Sequence, residues 1–224
     1  MADTPSRALE DAVERLARLL RAPLPGASAQ QAMAVAPRTP RPEGVLPGDM
    51  RKSAVLLLIY PHRDRLWLPL IRRAPQLRQH AGQYALPGGE SEPTDPSLWH
   101  TALREAREEI GLDPRGVKCL GALTPLEVPV SNHMLYPFVG YSPMRPEFRL
   151  QADEVDDLVE LPLDVLLEQD ARSVEERDLS GRRARVPFYR YEHAIVWGAT
   201  AMVLSELEAI LRALSAEAAP RPNP

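Results

Sequence analysis

The chain has little cysteine, no excess of basic residues and no long apolar run. Cys119 is the single cysteine among 224 residues, which excludes an internal disulfide and fits a reducing compartment. Because Cys119 lies in an apolar run, we expect it to be buried and structural rather than a nucleophile. The formal net charge of −4 argues against a general nucleic-acid-binding protein, since such proteins are usually basic.

The sequence also lacks the segments that would direct it to or through a membrane. No apolar stretch is long enough to cross a bilayer, and no segment has the pattern of a signal peptide. A chain of this length can bury one sizeable core and still carry an extension. We therefore expect a cytoplasmic protein that binds neither nucleic acid nor a membrane.

Composition divides the chain into three parts. Residues 1–48 form an extension, residues 49–217 form the main domain, and residues 218–224 are expected to be a disordered tail.

The extension combines a helix with a linker. An apolar stripe at helical spacing predicts a helix from Ser6 to Leu20. The linker, from Pro23 to about Asp49, is rich in proline and alanine, so we expect it to be extended and partly mobile. The helix could pack on its own domain or exchange across a homodimer, and the sequence leaves both open.

The main domain alternates strand and helix signals. Residues 53–60 are an apolar run typical of a central strand, residues 62–64 indicate a hairpin turn, and residues 66–71 indicate its return strand. Further strands are predicted at 117–123 and 134–141, and helices at 161–169 and 194–214. Together these elements favour an α/β (α+β) fold in which a mixed β-sheet lies between helices.

The most informative segment is the predicted helix at residues 101–110. Glu105, Glu108 and Glu109 stand three and four positions apart, so they share one face. Their like charges repel, and a bound divalent cation would reverse the sign of that interaction. The opposite face carries the apolar residues that a helix needs to dock on a core, namely Leu103, Ala106 and Ile110.

Both ends of this helix are specified. Gly111 can cap the C-terminus in the left-handed conformation, because glycine adopts a positive φ without strain. Asp95 is predicted to be the N-cap, with Pro96 as the first helical residue.

These residues resemble the Nudix box, the signature of the Nudix hydrolases. Arg104 to Leu112 match the pattern R-E-aliphatic-x-E-E-x-G-aliphatic at every fixed position, with Ala106 as a small aliphatic member. The first half of the box departs from the pattern. Counting from Gly89 puts Asp95 at the acidic position and leaves one extra residue before Arg104, which indicates a one-residue insertion in the loop.

A second segment, Leu70 to Gly89, is similar to the stretch that marks the coenzyme A diphosphatase branch of the Nudix hydrolases. Pro69, Ile71 and Leu86 depart from that stretch, and these departures concern packing more than charge. Residues 195–201 also resemble this branch, although such a run is less specific. The matching positions of the first segment are Arg73, Ala74, Arg78, Gly82, Pro87, Gly88 and Gly89.

The resemblance implies a Nudix fold and metal-dependent hydrolysis of a diphosphate bond. Carboxylate oxygens suit Mg²⁺ or Mn²⁺. Coenzyme A would give 4′-phosphopantetheine, or its acyl form, and adenosine 3′,5′-bisphosphate. Two alternatives remain open: a Nudix diphosphatase for ADP-ribose, NADH or another nucleoside diphosphate derivative, and a non-catalytic nucleotide-binding module. A module without turnover would be expected to lose box glutamates, and all three are present.

Roles follow for the individual residues of the box. Glu105 and Glu109 are the first choices as metal ligands because they lie four positions apart, and Glu108 is a third ligand or an orienting group. Arg104 is grouped with them as a catalytic candidate that pairs with a box glutamate and holds its rotamer. The general base is left open between a box glutamate and a later acid such as Glu154 or Asp156.

The substrate would be bound by the upstream segment. Arg73 and Arg78 are candidates for the phosphates, since a guanidinium binds phosphate oxygens in a bidentate way. The backbone of Gly88 and Gly89 can approach metal or phosphate because no side chain intervenes.

Two polar groups lie outside these motifs. Arg182, Arg183 and Arg185 follow a serine–glycine turn and are expected at the exposed end of a hairpin. Asn132 and His133 interrupt an apolar stretch, which indicates a polar loop or, alternatively, a pocket lining.

Overall fold

The computed structural model describes residues 6–41, 43–44, 46–77, 80–179 and 181–218. In chain order the described elements are α1 (Arg7–Leu19), α2 (Gly26–Gln31), β1 (Arg51–His62), β2 (Arg65–Arg73), β3 (Tyr84–Ala85), β4 (Gly88–Glu90), α3 (Leu98–Ile110), β5 (Lys118–Ala122), β6 (Leu126–Val128), β7 (His133–Tyr141), β8 (Val155–Pro162), β9 (Arg172–Leu179), β10 (Arg182–Tyr191), β11 (Ala194–Trp197) and α4 (Gly198–Ala218).

β1 is the centre of a mixed sheet to which eight of the described strands belong. The path runs β3-β2-β1-β7-β5, while β4 pairs with β1, β6 with β7 and β8 with β2. β1 and β7 are parallel, and β1 is antiparallel to β2 and β4. Because β1 is covered on both faces, residues 53–61 are all buried, which explains why the sequence shows a continuous apolar run.

Alternate residues of β1 face two separate cores. Leu56 and Leu58 pack with Ala106 and Ile110 of α3 on one face of the sheet. Leu57 and Ile59 belong to the larger core on the other face, which includes residues of α1 and α4. The predicted mixed sheet between helices is therefore confirmed, with α3 packed on β1, β4 and β7.

The predictions for the C-terminal half needed correction. The helix predicted at 161–169 is wrong over its start, because β8 continues to Pro162 and only a short 3₁₀ turn follows at Leu163–Leu167. The helix predicted at 194–214 begins four residues later, since residues 194–197 form β11 and Gly198 breaks the strand with φ +66°. The hairpin expected at the serine–glycine turn is formed by β9 and β10, whose bounds were not predicted, and both strands join β11 in a three-stranded sheet.

The β9–β10 hairpin turns at Gly181, whose φ is +80°. Arg182, Arg183 and Arg185 are exposed on β10 immediately after this turn, as predicted.

The N-terminal helix is confirmed, and it packs on its own domain. α1 buries Leu16 in the large core, and the Arg15 guanidinium donates to the carbonyl oxygen of Leu214 at 2.7 Å. The predicted extended linker is wrong in part, because it contains α2 and buries Met33. Ala36 also makes a two-way backbone pair with Arg185, with N–O distances of 3.0 and 2.7 Å.

Two glutamates of α4 are buried and fully engaged by protein donors; we call them the α4 glutamate pair, Glu206 and Glu208. Glu206 accepts hydrogen bonds from Gly26 N, from Gln30 Nε2 and from the backbone and hydroxyl of Thr124. The donors to Glu208 are the Tyr189 hydroxyl and the guanidinium groups of Arg172 and Arg212. The pair therefore ties the N-terminal extension and the small sheet to α4.

Two further features correct or complete the sequence expectations. Cys119 is exposed rather than buried, because it lies on β5 at the end of the sheet path, where one edge of the strand has no neighbouring strand among the described residues. In the part of the chain that is described, no helix is both long and apolar enough to cross a bilayer. The tail predicted at 218–224 lies outside the described residues except for Ala218, which ends α4.

Candidate metal and diphosphate site

α3 begins two residues later than predicted, and Asp95 is not its N-cap. Ser97 holds that position in an extended conformation, and its side chain accepts from His100 N. The Asp95 carboxylate is occupied elsewhere, since it accepts from the Arg104 guanidinium at 3.0 and 3.1 Å and from the Thr101 hydroxyl at 2.9 Å. At the other end Gly111 caps α3 with φ +69°, as the sequence predicted.

The contact between Asp95 and Arg104 lies where the sequence departs from the box pattern. The loop between β4 and α3, in which the sequence predicts one extra residue, places the Asp95 carboxylate against Arg104, nine positions further along the chain. The guanidinium of Arg104 holds the pKa of Asp95 well below its usual range, and the carboxylate in turn raises the pKa of Arg104. This ion pair holds one side of the Arg104 guanidinium in place.

The other contacts of the Arg104 guanidinium are with the box glutamates and with β4. Arg104 Nη1 donates to Glu105 Oε1 at 2.8 Å and to Glu108 Oε2 at 3.0 Å. Nη2 donates to the carbonyl oxygen of Glu90 in β4 at 3.0 Å. Arg104 thus joins both carboxylates to the strand that carries the glycine turn, and it restricts the rotamers of both.

The glycine turn lies directly under α3 because neither residue has a side chain. A Cβ on Gly88, whose φ is +152°, would lie 2.2 Å from the carbonyl oxygen of Ala54 in β1. A Cβ on Gly89 would lie 2.5 Å from the carboxyl carbon of Glu105. Only glycine at both positions allows β4 to pair with β1 while the Glu105 carboxylate rests on it.

Glu109 is the most buried of the three glutamates, with 4% of its side chain exposed. Its Oε2 accepts from Gly88 N at 2.8 Å. Burial raises the pKa of Glu109 to about 8, and the negative charges of Glu105 and Glu154 act in the same direction. Its nearest cation is Arg73, whose Nη1 lies 3.9 Å from Oε1. This carboxylate is therefore short of positive charge.

Glu105 and Glu108 differ in exposure. Glu105 is 16% exposed, and burial raises its pKa in spite of the neighbouring Arg104 guanidinium. Glu108 is 54% exposed and faces solvent apart from its contact with Arg104. The structure therefore brings Glu105 and Glu109 against the glycine turn and leaves Glu108 at the edge of the site.

The negative charge of this site suits a divalent cation, although its side chains are not already arranged as a metal-binding site. No three acidic, histidine or cysteine side chains converge into a metal cage anywhere in the described ranges. However, Glu105 and Glu109 both have a raised pKa, which shows that two buried carboxylates lack enough compensating positive charge. A divalent cation would supply that charge, and oxygen donors suit Mg²⁺ and Mn²⁺.

The upstream arginines are placed unequally. Arg73 ends β2 beside Glu109, and its Nε is buried without a hydrogen-bond partner among the described residues. A guanidinium whose buried Nε lacks an acceptor favours an anionic ligand at this position. The other predicted phosphate ligand, Arg78, lies outside the described residues.

Of the two later acids, Asp156 pairs with Arg72 at 2.7 Å, whereas Glu154 is exposed and its charge acts on both Glu105 and Glu109.

A cavity of about 1090 Å³ opens beside the glycine turn. Gly88, Gly89 and Arg73 line it, together with His133 and the segment from Trp197 to Thr200. The expectation of a pocket-lining role is therefore confirmed for His133. Asn132 ends a 3₁₀ turn with φ +56° and is not part of the lining. Sequence reasoning missed two contributors from the N- and C-terminal parts of the chain, Arg38 and Arg182.

A family model described as the NUDIX domain matches residues 50–179 of the chain. A protein of Pectobacterium atrosepticum, named as an uncharacterized Nudix hydrolase NudL, is 40% identical over 159 residues, which cover 71% of this chain and 82% of that protein. A protein of the same name from Salmonella paratyphi B is 39% identical over the same shares of the two chains.

Solved structures show a more distant likeness. A crystal structure of a Nudix hydrolase from M. smegmatis, RenU, is 15% identical, covers 78% of this chain and 91% of its own, and gives a TM-score of 0.47.

Proposed function

Because the chain belongs to the Nudix hydrolase family and acts on pyrophosphate bonds with a divalent metal ion, we propose that its substrate is coenzyme A or an acyl derivative of it. The products would be 4′-phosphopantetheine, free or acylated, and adenosine 3′,5′-bisphosphate. The metal would be Mg²⁺ or Mn²⁺, with Glu105 and Glu109 as its principal protein ligands and Glu108 at the edge of the shell.

One observation carries the choice of coenzyme A. Two segments resemble the coenzyme A diphosphatase branch, residues 70–89 and residues 195–201, and they are more than 100 positions apart in the sequence. Both contribute residues to the same cavity: Arg73, Gly88 and Gly89 come from the first segment, and Trp197 and Gly198 from the second. Residues that share one cavity can select one substrate together, which supports a common origin of the two resemblances.

The protein's own groups divide the work of binding and orienting the diphosphate. Arg73 lines the cavity, and its guanidinium lies next to Glu109, where it can neutralise phosphate oxygens of the substrate. Gly88 and Gly89 line the cavity, so those oxygens can lie against the backbone of β4. Arg104 holds the Glu105 and Glu108 carboxylates in place, so that neither has to reorganise during the reaction.

When bound, the metal ion would neutralise charge on the diphosphate and supply an acidified water. Glu154 is the better of the two later acids for accepting the proton of that water. It is exposed and close enough to raise the pKa of Glu109, whereas the Asp156 carboxylate is engaged by Arg72.

The test is a comparison of substrates on one preparation of the full chain with Mg²⁺ and with Mn²⁺. We expect kcat/KM for coenzyme A or its acyl derivatives to exceed that for ADP-ribose, NADH and diadenosine tetraphosphate by at least about tenfold. If coenzyme A is cleaved no faster than these compounds, the substrate proposal is wrong although hydrolysis of a pyrophosphate bond remains.

A further inference from the structure

Part of the cavity wall comes from residues outside the range matched by the family model. Ala34, Val35, Arg38 and Thr39 line the cavity from the N-terminal extension, and Arg182 lines it from the β9–β10 hairpin. We call these residues the outer wall. Since the model covers residues 50–179, the outer wall lies outside the segment that the family model describes.

The outer wall is fixed to the domain by direct contacts. Ala36 and Arg185 exchange two backbone hydrogen bonds, three residues beyond Arg182 on β10. Arg41 Nη2 donates to both oxygens of the Glu127 carboxylate, at 2.8 and 2.7 Å. Arg38 and Arg182 therefore lie near one junction between the extension and the hairpin, which hydrogen bonds within the protein hold together.

The charges at this junction do not cancel. The Glu127 carboxylate is already neutralised by Arg41, and Arg38 Nη2 reaches only the Glu127 carbonyl oxygen, at 3.3 Å. Asp178 also lines the cavity, and its carboxylate accepts from Gly181 N at 2.6 Å. Over the described ranges neither Arg38 nor Arg182 takes part in an ion pair, so no carboxylate there neutralises either guanidinium group.

Most of the remaining lining is apolar. Leu86, Leu126, Val128, Leu135 and Met202 all line the same cavity as the outer wall and the glycine turn. An anion on the outer wall would therefore lie at the rim of a mostly apolar cavity, held by charge-assisted hydrogen bonds from two exposed guanidinium groups.

We infer that Arg38 and Arg182 form a second anion subsite, which binds a phosphomonoester of the substrate apart from the diphosphate. The inference rests on the proposed function in one respect, namely that the diphosphate lies at the glycine turn. The ligand class is a nucleoside diphosphate derivative that carries an additional phosphate on its sugar. Arg38 and Arg182 are in this view specificity-determining residues, and they take no part in bond cleavage.

The experiment compares two pairs of substrates that differ by one phosphomonoester: coenzyme A with 3′-dephospho-coenzyme A, and NADPH with NADH. For the wild-type enzyme we expect kcat/KM to favour the phosphorylated member of at least one pair by roughly tenfold or more, mainly through KM. Arg182→Ala and Arg38→Ala should each reduce this preference severalfold and leave the rate with the dephosphorylated member unchanged. Arg183→Ala is the matched control, because Arg183 is exposed on the same hairpin and does not line the cavity.

Three results would overturn the inference: a wild-type enzyme without any preference, a loss that is equal for both members of a pair, or the same loss in Arg183→Ala. Binding measured by calorimetry separates this inference from the substrate proposal, because it needs no turnover. The metal-free full chain should bind adenosine 3′,5′-bisphosphate more tightly than AMP, and Arg182→Ala should remove the difference. If NADPH is preferred to NADH while coenzyme A is a poor substrate, the subsite stands and the coenzyme A proposal fails.

Discussion

The molecule buries glutamates in two places, and it treats them in opposite ways. In the α4 glutamate pair every carboxylate is met by protein donors, four groups around Glu206 and three around Glu208. In the candidate site Glu109 is almost as buried, yet its hydrogen-bond donor among the described residues is a single backbone N–H, that of Gly88. The first arrangement is complete in itself, and the second lacks positive charge.

The difference separates two uses of the same side chain. A buried carboxylate whose donors all come from the protein stabilises the fold, because removing it leaves those donors without partners. A buried carboxylate with a raised pKa lowers the stability of the metal-free protein when it is ionised, and it favours the binding of a cation. Substitutions in the two places should therefore change different measurements, stability in the first and metal-dependent activity in the second.

The largest effect is expected for Glu109→Gln. The amide keeps the shape of the side chain but removes the charge that would bind the cation, so we expect kcat to fall on the order of a thousandfold. The measurement is the initial rate with Mg²⁺, and circular dichroism checks that the variant is folded. Retention of full Mg²⁺-dependent activity would contradict the assignment of Glu109 as a metal ligand.

Glu206→Ala is the matching change in the α4 glutamate pair. It leaves the buried donors of Gly26, Gln30 and Thr124 without an acceptor, and we expect the free energy of unfolding to fall by about 3 kcal/mol or more. Urea denaturation measures this loss. The kcat of the folded fraction should stay within about twofold of wild type. A large fall in kcat without a fall in stability would break the comparison between the two places.

Arg104→Ala is expected to have an intermediate effect on activity. It releases the Glu105 and Glu108 carboxylates and leaves Asp95 unpaired, so kcat should fall by about 10- to 100-fold. Arg107→Ala is the control, since Arg107 is an exposed arginine on the same helix. Isothermal titration with Mn²⁺ distinguishes a loosened metal site from general instability. Equal rates for the two variants would show that Arg104 has no positioning role.

The pH dependence of the metal-free protein gives a smaller, graded test. The folded-state pKa of Glu109 is about 8, above the 4.5 of an ordinary glutamate, so the folded protein binds more protons than the unfolded chain between these values. Stability contributed by this group is fully present below pH 4.5 and is lost as the pH rises towards 8. Metal binding needs the carboxylate, so the apparent affinity for Mn²⁺ should rise by up to about tenfold per pH unit below pH 8. In Glu109→Gln both trends should flatten.

The smallest effect is expected for Glu108→Gln. This side chain is 54% exposed and interacts with Arg104 in solvent, so the change should reduce kcat/KM by less than about fivefold. The same rate assay checks it. A loss as large as that of Glu109→Gln would place Glu108 among the principal ligands.

The parts of the site that the sequence predicted are the parts with short-range causes. The shared face of Glu105, Glu108 and Glu109 and the cap at Gly111 follow from helix geometry within a few residues. The continuous apolar run of β1 likewise identified a central strand, because burial on both faces removes the alternation.

The failures have long-range causes. Asp95 has the residue type of an N-cap, but the competing ion pair with Arg104 takes its carboxylate, and sequence spacing alone does not show which partner wins. The donors of Glu206 lie 82 to 180 positions away in sequence, so no local sequence pattern could predict these contacts. The outer wall was missed for the same reason, since the pairing of Ala36 with Arg185 is fixed only when the tertiary structure has formed.

The hydrogen bonds from Gly26 and Gln30 to Glu206 set an order of events during synthesis. Residues 26 and 30 are synthesised before residue 206, so the extension has no acceptor there until α4 has emerged from the ribosome. The extension also carries part of the cavity wall. These hydrogen bonds can therefore hold that part of the wall in place only after α4 has been made.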